Sequence, residues 1–104
     1  MTIQFNTASN INGSETLNER LSAVIADKLS RFSEQITRVE AHLSDTNGHK
    51  EGQNDKQCIL EARLEGLQPL AVSNRADTYD EAVTGAISKL KSSLDSAIGK
   101  LKHH

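Results

Sequence analysis

Four lysines near the end of the chain are the residues whose type and spacing best suit chemistry. Residues 87–104 contain all four and a single acidic residue, Asp95. The lysines are Lys89, Lys91, Lys100 and Lys102. Lysine ammonium groups bind phosphate as point charges and release its counterions. This segment therefore predicts a surface that can face phosphate.

Metal chemistry is not predicted, because no pair of potential ligands has a recognised spacing. The candidates are His42, His49, Cys58, His103 and His104. The last two can equally be a purification remnant. A calcium loop beginning at Asp45 is excluded, because Gly48 comes two positions too early and no glutamate closes the loop. We expect neither a metal nor another cofactor.

Catalysis is not predicted either. Cys58 alternates with Leu60 in an apolar pattern, which favours a buried thiol over a nucleophile. No nucleophile, base and orienting residue form a set, and no glycine-rich phosphate loop follows a predicted strand. Phe5 and Phe32 fit the core pattern, so stacking on single-stranded bases is not expected. The sequence predicts neither an enzyme nor a small-molecule substrate.

Length and composition predict one soluble domain over residues 1–104. Of the 104 residues, 36% are hydrophobic and 25% are charged, as in globular proteins rather than disordered ones. One cysteine fits a reducing cytoplasm. No stretch is apolar enough for a membrane span, and residues 1–10 are not expected to act as a signal peptide. Because the net charge is -2, any phosphate binding must come from a local patch.

The four lysines belong to a predicted helix over residues 77–102. Its apolar residues recur at spacings of four and three, which keeps them on one face. They are Val83, Ile87, Leu90, Leu94, Ala97 and Leu101. At 100° per residue, Lys89 and Lys100 fall on one side of this stripe. Lys91 and Lys102 fall on the other side.

Capping residues mark the start of both predicted helices. Ser14 is the candidate for the earlier helix, which runs for about five turns to Phe32. Asp77 or Thr78 can cap the last helix, and Glu81 completes a capping box if the cap is Thr78.

Four other segments alternate between apolar and polar residues, as strands do. They cover residues 2–7, 38–43, 57–65 and 70–74. In the second segment, Val39, Ala41 and Leu43 share one face. Residues 44–56 are polar, contain two glycines and are predicted to form a long flexible loop.

The order of elements predicts an α+β domain with the arrangement β-α-β-β-β-α. The first helix links two parallel strands, and the later connections are short enough for antiparallel pairs. We therefore expect a four-stranded mixed sheet with two helices packed on one face. Charged residues on the other face alternate in sign and are expected to pair across strands. They are Arg38, Glu40, His42, Glu61, Arg63 and Glu65.

Six segments, taken together in order and spacing, carry a family resemblance. They are Glu15-Thr-Leu-Asn-Glu, Lys28-Leu29, Ile36-Thr-Arg-Val-Glu-Ala-His-Leu, Ala76-Asp-Thr-Tyr-Asp-Glu-Ala-Val, Ile87-Ser-Lys-Leu and Gly99-Lys-Leu-Lys. With them the chain resembles the ribosome hibernation-promoting factor and ribosome-associated inhibitor family in its short, single-domain form. On this resemblance we expect no counterpart of the C-terminal dimerisation domain of long family members.

This resemblance implies binding to the small ribosomal subunit and its ribosomal RNA. Family members occupy the decoding channel, along the path of messenger and transfer RNA, and keep idle ribosomes inactive during stress and stationary phase. The resemblance also implies a cytoplasmic protein that contacts no membrane and is monomeric away from the ribosome.

Site residues follow from the same resemblance. Four positions at which the family commonly carries a basic residue are occupied here by Lys28, Lys89, Lys100 and Lys102. Weaker candidates, chosen by predicted exposure, are Arg31, Arg38, Arg63, Arg75 and Lys91. Lys28 falls within the apolar arc of the first helix, so its stem is expected to snorkel toward an edge. In the last turns of the final helix the family often has further basic residues. This chain has Ser92, Ser96, Ala97 and Ile98 there, which predicts fewer phosphate contacts.

A second interpretation is a protein-interaction module of the same fold that does not act on ribosomes. It would use the charged sheet face or a helix to bind a protein partner or a second copy. Salt distinguishes the two, because phosphate contacts weaken steeply with ionic strength.

Overall fold

The computed structural model describes residues 1–7, 14–45 and 55–102, with only the backbone described for residues 7, 14 and 100–102. Its elements are β1 Thr2–Thr7, α1 Ser14–Lys28, β2 Ile36–Asp45, β3 Lys56–Leu64, β4 Leu70–Ala76 and α2 Tyr79–Lys102. The predicted α+β class and the order β-α-β-β-β-α are confirmed. No helix in this part of the chain is long and apolar enough to cross a membrane.

The four strands form one mixed sheet in the order β1-β2-β3-β4. β1 pairs with β2 in parallel, as expected when a helix connects them. β2 with β3 and β3 with β4 are antiparallel. The predicted strand directions are therefore confirmed.

Both helices pack on the same face of this sheet and bury the apolar stripes that the sequence predicts. Strand residues of that face are buried in β2 and β3, and they include Val39, Ala41, Leu43, Cys58, Leu60 and Ala62. From α1 the core takes Leu21 and Ile25, and α2 contributes Val83, Ile87, Leu90 and Leu94. Ala97 is half-buried, and the side chain of Leu101 lies outside the described residues.

The first helix is shorter than predicted. α1 ends at Lys28, and residues Ser30–Phe32 form a 3₁₀ turn instead of a further α-helical turn. The Phe32 N–H donates to the Leu29 carbonyl oxygen at 2.9 Å, which is the tighter hydrogen bonding of a 3₁₀ turn. The 3₁₀ turn supplies hydrogen-bond donors to carbonyl oxygens at the end of the helix. It also leaves the Phe32 side chain buried in the core.

Two strands extend into the predicted loop over residues 44–56. β2 continues to Asp45 and β3 begins at Lys56, so the prediction is wrong at its ends. Asp45 and Lys56 are register partners, and the Lys56 Nζ lies 2.8 Å from Asp45 Oδ2. This ion pair joins the two strands at their ends. Residues 46–54 lie outside the described residues.

The start of α2 follows the capping-box prediction. The Glu81 N–H donates to Thr78 Oγ1 at 3.1 Å, and Thr78 Oγ1 in turn donates to Glu81 Oε1 at 3.2 Å. Thr78 is therefore the N-cap, and the helix begins at Tyr79 rather than at residue 77. The side chain of Ser14, the predicted cap of α1, is not among those described.

Charge pairing on the outer sheet face differs from the prediction. The register places Arg38 opposite Arg63 and Glu40 opposite Glu61, so like charges meet across strands. Opposite charges instead pair along each strand: Arg38 Nη2 lies 2.6 Å from Glu40 Oε1, and Arg63 Nε lies 3.8 Å from Glu61 Oε1. The predicted cross-strand pairing is wrong because alternation fixes the face of each residue but not its partner. Glu65 follows the end of β3, so it does not belong to the charged face of the strand.

Candidate nucleic-acid interface on the helical layer

Two arginine–aspartate pairs join the helical layer from end to end. Arg20 of α1 pairs with Asp80, in the first turn of α2. Arg31, in the turn that follows α1, donates from Nη2 to both carboxylate oxygens of Asp95 at 3.0 and 2.9 Å. Both residue numbers rise together, so the two helices run in the same direction side by side. The four side chains are more than half exposed, so each pair is worth only about 0–1 kcal/mol.

The two flanks of α2 face different neighbours. At 100° per residue, Lys91 lies roughly 20° from Asp80 and 40° from Asp95, on the flank that faces α1. Lys89 lies on the opposite flank, and its Nζ donates to the Ser73 carbonyl oxygen of β4 at 2.8 Å. The predicted division of the lysines between two flanks is confirmed for Lys89 and Lys91. Of these two lysines, only Lys91 lies on the flank that faces α1.

Lys28 and Lys91 each precede one member of the Arg31–Asp95 pair by a few residues. Lys28 is the last residue of α1, three residues before Arg31, and Lys91 comes about one helical turn before Asp95 on α2. Neither lysine forms an ion pair within the described part of the chain. We call the surface formed by Lys28, Arg31, Lys91 and Asp95 the interhelical surface. It offers the uncompensated positive charges of Lys28 and Lys91 beside that of Arg31, which Asp95 neutralises.

The exposure of Lys28 has a simple cause. Its direction falls within the apolar arc of α1, which led to the prediction that its stem snorkels to an edge. Because α1 ends at Lys28, no further helical turn covers its side chain, which is exposed. At this position a basic residue also interacts favourably with the helix dipole.

Arg31 is held on two sides. Besides its bonds to Asp95, its guanidinium carbon lies 4.4 Å from the centroid of the Phe32 ring. A planar cation over an aromatic face is a favourable arrangement. Arg31 therefore belongs to the interhelical surface but shares its charge with a carboxylate.

Three of the predicted arginines lie elsewhere. Arg38, Arg63 and Arg75 belong to the outer sheet face, on the side away from both helices. The first two are paired along their own strands, whereas Arg75 forms no ion pair with any described residue. The structure therefore does not bring these arginines together with Lys28 and Lys91.

The end of α2 carries the remaining predicted bases. Lys100 and Lys102 belong to its last turns, but their side chains lie outside the described residues. Before them, an open groove of about 380 Å³ runs between α2 and the start of β4, lined by Leu70, Ser92, Ser93, Ser96 and Ala97. Serine hydroxyls line this groove, in the part of α2 where the sequence lacks the basic residues common in the family.

Perturbed acid–base groups lie away from the interhelical surface. The hydrogen bond that the Lys56 Nζ donates to Asp45 Oδ2 raises the pKa of Lys56, and the same Nζ lies 5.7 Å from the centroid of the Tyr79 ring. Burial raises the pKa of Tyr79, and it raises the pKa of the Cys58 thiol to about 12. No group of three or more potential ligands among the described residues could hold a metal ion.

Arg20 is the residue of this layer that sequence reasoning missed. Its partner Asp80 is 60 residues away, and helical period alone does not indicate which exposed arginine of α1 will meet α2. Asp80 also gives no hint of a distant partner, because the helix dipole already favours a negative charge in the first turn of a helix.

Almost the whole chain matches one known family. Residues 5–102 match the family described as sigma 54 modulation protein / S30EA ribosomal protein, and the chain belongs to this family. The predicted family is thereby confirmed. It is a family of ribosome-associated proteins rather than of enzymes, and ribosome association implies the cytoplasm. No curated protein matches the chain in sequence.

Solved structures share the fold over almost the full chain. A ribosomal subunit interface protein from Coxiella burnetii is 19% identical, with a TM-score of 0.70 and coverage of 95% of this chain and 99% of the other. The N-terminal domain of protein Y from Thermus thermophilus is 14% identical, with a TM-score of 0.71 and coverage of 92% and 98%. At these identities the likeness establishes the fold alone.

Proposed function

We propose that this protein binds the decoding channel of the small ribosomal subunit and keeps idle ribosomes inactive. Family membership supports a ribosomal partner, and the interhelical surface supplies the chemistry by which ribosomal RNA would be held. The observation that carries the proposal is that Lys28 and Lys91 belong to two parallel helices that the Arg31–Asp95 pair joins, and that neither lysine forms an ion pair with any described residue. Two free ammonium groups on a rigid layer suit a phosphate backbone.

This contact is electrostatic and does not read base sequence. Lysine and arginine contacts to single-stranded RNA release counterions, so affinity falls with salt by a log-log slope of roughly -0.7 per phosphate contact. Because the contacts are few and the chain is acidic, we expect binding to be lost already at modest ionic strength. A chain lodged along the messenger path would exclude messenger and transfer RNA and so block translation. No catalysis is needed for that effect.

The proposal is tested by co-sedimentation with purified small subunits at low salt. The double variant Lys28→Glu/Lys91→Glu should lose association, whereas Arg63→Glu/Arg75→Glu, which changes net charge equally on the opposite face, should retain it. Loss of binding in both variants would mean that only net charge matters. Retention in the first variant would overturn the interhelical surface as the RNA contact.

The second interpretation, a non-ribosomal interaction module, is decided by the unmutated protein. If it fails to associate with small subunits even at low salt, the ribosomal proposal is wrong. In a translation assay, an excess of protein should also inhibit initiation on free ribosomes, and the same lysine variant should remove that inhibition.

A further inference from the structure

The outer sheet face carries charge in rows rather than in an alternating pattern. Arg38 and Arg63 are register partners and form an arginine row across β2 and β3. Two residues along, Glu40 and Glu61 are register partners and form a glutamate row. The rows are about 7 Å apart, the distance spanned by two strand residues. The face is therefore a band of positive charge beside a band of negative charge.

Such rows are not the arrangement that stabilises an isolated sheet best. Like charges directly opposite one another on neighbouring strands are destabilising, and exchanging one residue pair would remove both conflicts. Ion pairs along the strands relieve part of the repulsion, at 2.6 Å for Arg38–Glu40 and 3.8 Å for Arg63–Glu61. Local rules are often broken where a surface serves another purpose.

The composition of this face also resembles an interface more than a solvated surface. Every basic side chain that the strands place on it is arginine or histidine, and the described lysines lie elsewhere. Arginine is enriched and lysine depleted in protein interfaces. Ile59 lies two residues from Glu61, beside the glutamate row, and is 37% exposed, one of two large hydrophobic residues exposed in the described part of the chain. Ala71 of β4 adds a small apolar neighbour beside Glu61.

We propose that a second copy of this chain docks on the outer sheet face, sheet against sheet. A two-fold axis lying between the rows and parallel to them places the arginine row of each copy over the glutamate row of the other. Each arginine then lies between two carboxylates, one from its own strand and one from the partner copy. No other symmetric arrangement of the two rows pairs all eight charges.

This dimer is weak and reversible. Its contacts are long, partly exposed side chains, and salt weakens interactions between such exposed charges, with a screening length of about 8 Å at physiological strength. Glu40 and Glu61 are 18% and 33% exposed, so a facing copy would desolvate them only in part. The dimer leaves the helical layer of both copies open, and it differs from the sequence prediction of a monomer away from the ribosome.

Sedimentation equilibrium at low salt tests the dimer with two charge-reversed variants. Arg38→Glu/Arg63→Glu leaves only carboxylates in the rows, and Glu40→Arg/Glu61→Arg leaves only guanidinium groups. Each variant alone should self-associate at least about tenfold more weakly than the unmutated chain. An equimolar mixture of the two should recover association, because each face now complements the other.

Two outcomes overturn the proposal: an unmutated chain that stays monomeric at low salt and high concentration, or a mixture of variants that does not associate. If this face instead binds a different protein, the unmutated chain should stay monomeric. Circular dichroism and thermal unfolding of each variant establish that it is folded, and the mixture is informative only between folded chains. Ribosome association is measured separately through Lys28 and Lys91, so failure of this dimer leaves the proposed function standing.

Discussion

Asn74 of β4 lies against Gly85 of α2 so closely that no side chain fits between them. A Cβ added to Gly85 would come within 2.7 Å of the Asn74 Cγ. The Asn74 side chain cannot simply turn away, because its Nδ2 donates to the Glu81 and Ala82 carbonyl oxygens at 3.4 and 3.3 Å. This contact sets how near α2 packs to the edge of the sheet.

Gly85→Ala should therefore destabilise the protein although alanine is the better helix former. The propensity gain is about 1 kcal/mol, and overpacking at a tight contact costs about 1–3 kcal/mol. Urea unfolding followed by circular dichroism measures the net loss. Gly99→Ala is the matched control: nothing lies within 4 Å of a Cβ there, so this variant should be neutral or more stable. Equal effects of the two substitutions would contradict the contact.

Thr78→Ala should lower the free energy of unfolding by about 1 kcal/mol through the N-terminus of α2. The substitution removes the acceptor of the Glu81 N–H, which otherwise bonds Thr78 Oγ1 at 3.1 Å. Thr78→Ser keeps the oxygen and should lie close to the unmutated protein in the same unfolding experiment. A serine variant as unstable as the alanine variant would show that the hydroxyl is not what matters.

Cys58 should resist thiol reagents in the folded protein and react freely once the chain is unfolded. Its side chain is fully buried, and burial raises its pKa to about 12 from 9.0. Because the folded state holds the proton above pH 9 while the unfolded state releases it, stability should fall as pH rises from about 9 toward 12. Lys56 and Tyr79 also have raised pKa values and act in the same direction.

The share due to the thiol can be isolated with Cys58→Ala. Its unfolding free energy should decline less steeply between about pH 9 and 11 than that of the unmutated protein, by at most about 1.4 kcal/mol per pH unit for one proton. Parallel declines in the two proteins would mean that Cys58 does not titrate differently on unfolding.

The sequence predicts the layers of this fold because periods of two and 3.6 residues fix which side chains face the core. Val39 and Ala41 of β2 and Val83 of α2 are apolar for that reason, and all three are buried. Strand register is not encoded in alternation, since a slip of two residues keeps every side chain on its face. That is why the rows of Arg38 with Arg63 and of Glu40 with Glu61 could not be predicted.

For the candidate site, helical angle predicts only the direction in which a side chain leaves its helix. Exposed bases on α2 follow from helical angle, so the flanks of Lys89 and Lys91 were predictable. Which basic side chains remain available to a ligand depends on contacts between distant segments, such as Arg31 with Asp95 and Lys89 with the Ser73 carbonyl oxygen. Exposure alone also could not separate Arg75, on the outer sheet face, from Lys28 on the helical layer.

The pair of Arg31 and Asp95 should limit the affinity of the interhelical surface for RNA. Asp95 shares the α1-facing flank of α2 with Lys91, so its carboxylate would repel a phosphate held by that lysine and by Lys28. Asp95→Asn removes this charge and frees Arg31 for phosphate. We expect about two- to fivefold tighter association with small subunits at low salt, the range given by an exposed pair worth about 0.5–1 kcal/mol.

Asp80→Asn is the control for that prediction, because it breaks the equivalent exposed pair with Arg20 at the other end of the same helix. It changes net charge by the same amount but lies about 16 Å along α2 from Lys91. Titration of each variant with labelled small subunits should show a gain for Asp95→Asn and little change for Asp80→Asn. Equal gains would reveal a general charge effect. Weaker binding by Asp95→Asn would show instead that the carboxylate positions Arg31 for RNA, since the guanidinium keeps further N–H groups with which to donate.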